Sequence, residues 1–135
     1  MSFTGNYTCN SFKSGLIDGD FDFDTDTIKI ALYTNSATLN ADTSAYTTDG
    51  EVSASGYTAG GNTLTVSKGI TGGTSFITFT DTSWSSALTA RGALIYKDGG
   101  GAICVLDFGS DKTSTTTFTV DFPAASSTDA LIRLS

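Results

Sequence analysis

The sequence predicts an all-β fold, an antiparallel β-sandwich of jelly-roll-like or related type with one short N-terminal helix, and three observations predict it. Thr, Ser and Gly make up roughly two fifths of the chain, with one proline, a mixture that favours strands and turns over helices. Apolar residues recur with a period of two in short segments separated by glycine-rich turn signals, the pattern of strands with one face to bury. The length, 135 residues, suits one hydrophobic core, so residues 1–135 are expected to form a single domain with an arm and helix over about 1–19.

The helix comes first. Phe12, Leu16 and Ile17 are spaced to line one side of it, Asn10 or Ser11 is available as N-cap, and Gly19 is its terminator. A strand follows over about 27–34, where Ile28, Ile30 and Leu32 alternate with Lys29, Ala31 and Tyr33 and one side is expected to face the core. From about 35 to 62 the composition is that of a long loop, a contact or binding element anchored by Leu39, Tyr46, Val52 and Tyr57. Strands resume at Thr63 to Ser67, Ser75 to Thr80, Leu88 to Tyr96 and Ala102 to Phe108, the last two joined by the Asp98-Gly99 turn of a hairpin. Phe118, Val120 and Phe122 alternate in a strand that Pro123 ends, and Leu131 to Leu134 forms the last of about seven.

Charge excludes several functions. Seven basic against fourteen acidic residues give a net charge of −7, which repels a phosphate backbone and an anionic lipid surface, so neither nucleic acid nor membrane is an expected partner. With no histidine, the Ser-His-Asp and Cys-His arrangements cannot be assembled within one chain, and an enzyme is not expected. The glycine clusters lack a following Lys-Ser or Lys-Thr and read as turns. Met-Ser-Phe-Thr-Gly has neither the basic start nor the apolar stretch of a signal peptide, so synthesis in a cytoplasm is expected. Cys9 and Cys104 are too few for a disulfide scaffold; they read as buried free thiols, with a single disulfide as the alternative.

Asp18, Asp20, Asp22, Asp24 and Asp26 occupy every second position. If extended, they line one face of a strand about 6.5 Å apart, with Phe21 and Phe23 on the other face. Such a row is either a solvated face with some turn-forming members, or a site where two or three of Asp20, Asp22, Asp24 and Asp26 hold a hard cation such as Ca2+; no other cofactor is expected. Trp84 reads as a core plug at a loop edge. Arg91 interrupts an apolar run and is expected to turn from the core toward an acidic partner on a neighbouring strand or subunit.

Several stretches resemble a family. Lys29-Ile30-Ala31-Leu32-Tyr33-Thr34, Gly50-Glu51-Val52, Gly56-Tyr57-Thr58-Ala59-Gly60-Gly61-Asn62, Asp81-Thr82-Ser83-Trp84, Ala90-Arg91-Gly92-Ala93-Leu94-Ile95-Tyr96 and Val105-Leu106-Asp107-Phe108-Gly109 are similar to small virion structural proteins of tailed bacteriophages. The resemblance spans nearly the whole chain and carries no catalytic residue over. It implies a capsid decoration or cement protein on the virion surface, assembled in the host cytoplasm, with the major capsid protein and its own copies as partners, a homotrimer favoured. The alternatives are a neck, tail or fibre-associated component and a calcium-dependent adhesive β-sandwich. Expected contact residues are Ser2, Phe3 and Asn6 of the arm, Tyr46 and Tyr57 of the long loop, and Arg91; the two tyrosines can equally staple their own loop to the sandwich.

Overall fold

A computed structural model describes residues 3–135, so Ser2, an expected contact residue, lies outside the described residues. The chain is all-β and sandwich-like, with three antiparallel sheets and one helix. Its elements are β1 (Tyr7–Thr8), α1 (Asn10–Asp18), β2 (Ile28–Tyr33), β3 (Asn62–Leu64), β4 (Val66–Thr71), β5 (Thr74–Phe79), β6 (Thr82–Trp84), β7 (Thr89–Lys97), β8 (Ala102–Thr113), β9 (Phe118–Val120) and β10 (Ile132–Leu134). One sheet has the order β1-β8-β7-β2-β3, a second β10-β5-β4, and the third is the pair β6-β9.

Among the described residues ten strands replace the expected seven or so, because short ladders carry too few residues to show a period. The expected strand Thr63 to Ser67 is two strands, β3 in the large sheet and β4 in the second, and the chain changes sheets at Thr65. Gly72 and Gly73, both at positive φ, form the two-residue turn of the β4–β5 hairpin, a backbone that strand residues with a Cβ resist.

The central strands bury both faces, not the one expected. Ile28, Ile30 and Leu32 of β2, with Ala93 and Ile95 of β7, enter a core shared with Phe12, Phe79, Trp84, Phe118 and Ile132 from the helix and the smaller sheets. Ala31, Tyr33, Leu94 and Tyr96 point the other way into a second core with Phe3, Cys9, Ala37 and Leu39. The large sheet is therefore covered on one side by the helix, the smaller sheets and Val52 and Tyr57 of the loop, and on the other by Ala37, Leu39 and Tyr46 of the loop and the N-terminal arm. This two-sided burial is why Ala93-Leu94-Ile95-Tyr96 reads as one apolar run.

Helix α1 starts earlier than expected: Cys9, not Asn10 or Ser11, is the N-cap and makes no side-chain cap bond, while Asn10 Nδ2 donates to Asp42 Oδ1 and Ser11 Oγ to Ala102 O. Gly19 ends it in the left-handed conformation, and Asp20 N–H closes back onto Gly15 O at 2.8 Å. Phe12 is buried and Leu16 packs against the core, but Ile17 is 89% exposed, because successive helical residues stand about 100° apart and Ile17 turns away from the face that Phe12 and Leu16 share.

Candidate functional site

The acidic segment is not the extended row that alternation suggests. Residues 22–26 form a turn in which Asp26 N–H reaches Asp22 O at 2.8 Å and Asp22 N–H reaches Asp26 Oδ2 at 2.7 Å. Asp22 Oδ1 accepts Asp24 N–H at 2.9 Å, and that bond leads the causes holding the Asp22 carboxyl below its usual range, ahead of the Thr25 side chain. The physical reason for the correction is repulsion: an extended row of like charges gains nothing, whereas a turn lets carboxylates accept the chain's own amides. Asp24 pairs with Lys68 at 2.9 Å and Asp26 with Lys97 at 3.3 Å, while Lys97 also donates to Asp20 O. No group of three or more acidic or cysteine side chains converges among the described residues. Phe21 and Phe23 do pack inward, edge-on to Phe12 at 5.1 and 6.0 Å.

The centre of the long loop is Glu51, the sole glutamate. Its Oε1 accepts the Tyr46 hydroxyl at 2.5 Å; its Oε2 accepts the Tyr57 hydroxyl at 2.6 Å and Gly60 N–H at 2.8 Å. Tyr57 in turn accepts Leu32 N–H from β2 at 2.9 Å. Tyr96 donates to Gly60 O at 2.6 Å and its ring stacks on Tyr46 at 4.9 Å, while Tyr33 donates to Thr47 O. Burial first, then the hydrogen bond to Glu51, pushes the Tyr57 hydroxyl well above the ordinary range; Tyr46 and Tyr33 rise too, and burial takes Tyr96 to about 12. The loop is thus stapled to the sheet by four tyrosines around one carboxylate. Tyr57, expected also as a contact residue, is buried, so its contacts are within the chain, and Tyr46 is half-buried with its hydroxyl engaged. Sequence reasoning missed Glu51; the signal was a lone glutamate between two loop tyrosines.

Arg91 has the acidic partner on the neighbouring strand. At this point of the β7–β8 ladder the register jumps, Ala90 pairing with Lys112 and Gly92 with Asp107, so Phe108 to Asp111 bulge opposite Arg91 alone. Arg91 Nη2 meets Asp107 Oδ1 at 2.9 Å, Nη1 donates to Asn35 Oδ1 at 3.3 Å, and the guanidinium lies 5.8 Å from the Phe3 ring centre. Asn6 Oδ1 accepts Asp107 N–H at 2.6 Å. The arm is therefore docked on its own sheet rather than held out as a free contact: Phe3 is buried, because Gly92 has no Cβ and leaves room for its ring.

Cys9 and Cys104 are free and buried, and burial pushes the Cys9 thiol up to about 11 and raises Cys104 as well. Trp84 is a core residue, as expected. Among the described residues the exposed large apolar ones are Ile17, Ile70 and Leu134; Ile70 is 71% and Leu134 53% exposed. Ile70 and Leu134 both pair with Ser75, so they share one cross-strand row at the end of the β10-β5-β4 sheet. Comparison of the chain with protein-family models, curated proteins and solved structures finds no match.

Proposed function

We propose that the chain is a non-enzymatic structural protein of a tailed-bacteriophage particle, a decoration protein that binds and braces the major capsid shell from outside. The observation that carries this reading is where the stretches similar to virion proteins fall. Gly56 to Asn62 and Ala90 to Tyr96 meet through the Tyr96–Gly60 hydrogen bond, and Tyr57 ties the first of them to Leu32 and Glu51. The resemblance thus lies in residues that hold the loop of this chain to its sheet. A rigid double-cored sheet with its polar groups spent internally suits a lattice binder, which needs contact surface and no reacting group. The row of Ile70 and Leu134 supplies such a surface, since neighbouring exposed apolar side chains serve contact better than solubility.

Particles banded in a density gradient and quantified by mass spectrometry test the reading. Copies in the hundreds per particle support decoration. Six or twelve copies overturn it in favour of a neck or tail component, and absence from particles overturns the virion assignment. In the same assay, Ile70→Asp with Leu134→Asp is expected to lower the copy number at least tenfold while changing Tm little, as surface substitutions do.

A further inference from the structure

The β6-β9 pair ends on an open strand edge. Phe122 N–H donates to Asp81 Oδ1, on the β6 side, and amide direction alternates along an extended strand. Phe118 and Val120 therefore direct their backbone groups at Trp84 and Thr82, their partners in β6. The amides and carbonyls of Thr117, Thr119 and Asp121 turn the other way. The partner strand agrees with this phase: Ser83 O, opposite Thr119, points outward and accepts Asn62 Nδ2 at 2.9 Å. Asn62 thereby covers the outer edge of β6, leaving the pair open on the β9 side only. Beyond β9 lies a cleft of about 460 Å3, lined by Phe108, Lys112, Ser114, Phe118, Val120 and Asp121.

We infer that this edge pairs with the same edge of a second copy, antiparallel, about a two-fold axis at Thr119. In this register Thr119 faces Thr119 of the second copy and the two exchange N–H···O bonds, using the groups that point outward. Thr117 faces Asp121 of the second copy, and the reverse. A threonine pair at the axis is a favourable cross-strand contact, and no acidic residue is set opposite another.

Charge selects the occupant. At −7, two copies repel across any broad face. Along this edge the antiparallel register carries Asp121 of the second copy to the Thr117 end of the cleft. Lys112 lines the same cleft. Symmetry makes the Lys112–Asp121 pair twice, so the edge is self-complementary, as an isologous contact must be. The product is a continuous four-stranded sheet, β6 and β9 of each copy. This inference does not rest on the particle reading, and its two-fold symmetry differs from the trimer that the resemblance implies.

Sedimentation equilibrium of the full chain, from micromolar to millimolar, tests it. Thr119→Pro removes the outward N–H while leaving the β6 ladder intact, and Thr119→Lys sets two like charges face to face. A monomer–dimer equilibrium is expected for the wild type, weakened at least tenfold by either variant at unchanged Tm; Thr119→Lys decides the matter if the proline variant fails to fold. Lys112→Glu is expected to weaken the dimer and Lys112→Glu with Asp121→Lys to restore it. A wild type that stays monomeric, a trimer, or association that survives both Thr119 variants overturns the inference. Failure of the charge exchange to restore the dimer overturns the register.

Discussion

Glu51 is a single carboxylate on which three donors from separate parts of one loop converge. Removing it by Glu51→Ala leaves two tyrosine hydroxyls and the Gly60 amide short of a partner in a partly buried place. The expected loss is about 2–4 kcal/mol by urea unfolding, since bonds to a charged group contribute about 1.5–3 kcal/mol each and are not additive. Glu51→Gln, which keeps one acceptor oxygen, is expected to lose less than half as much. The two thiols make a second test at this scale. Burial keeps both protonated at neutral pH, with Cys9 raised to about 11, and the thiolate is the reactive form. Ellman's reagent is expected to modify neither cysteine in the native protein at pH 8 and both at once in denaturant; prompt native labelling would show that one is accessible.

Among the elements, the loop and the sheet beneath it act as one body because a glycine lets them touch. At Gly61 φ is +78°, and a Cβ there would lie 1.7 Å from Ile30 O. Gly72 in the β4–β5 turn also has positive φ, +57°, but open space around it. Both positions suffer the left-handed penalty on substitution, about 1–2 kcal/mol. Only Gly61 adds a backbone clash. Gly61→Ala is therefore expected to cost at least about 3 kcal/mol, and Gly72→Ala about 1 kcal/mol, in parallel thermal unfolding curves. Equal losses at the two sites would mean that the loop can lift from β2 without cost.

At the scale of the whole molecule, the tyrosine set links stability to pH. Tyr33, Tyr46, Tyr57 and Tyr96 all have folded values above the ordinary 10, so the folded chain holds protons that the unfolded chain releases. Their contribution is fully present below about pH 10 and is lost as pH rises beyond it, with no matching effect in acid. Tm is expected to fall steeply above about pH 10, with these four tyrosinates appearing together with unfolding in the ultraviolet spectrum. Smooth ionisation of all four at constant Tm would contradict the staple.

How much of this was written in the chain differs by residue. The β7–β8 hairpin, the Gly72-Gly73 turn and the Gly19 helix stop were legible, because each depends on a backbone conformation that a local residue type permits or forbids. The anchors Leu39, Val52 and Tyr57 were legible as apolar points in a polar loop. The alternation of Asp20 to Asp26 misled, because period two describes side-chain type and says nothing of whether like charges tolerate an extended row.

The sequence by itself determined the all-β class, the single short helix, most strand positions and the absence of histidine chemistry, all of which follow from local conformational preference and composition. Only the tertiary structure decided that the large sheet is covered on both faces, that Glu51 gathers Tyr46, Tyr57 and the Gly60 amide, that Arg91 meets Asp107 across a bulge, and that the edge of β9 is left open. These depend on which distant segments come to lie together. A pattern of residue types sets which face is apolar, but the free energy of covering it is settled by residues dozens of positions away.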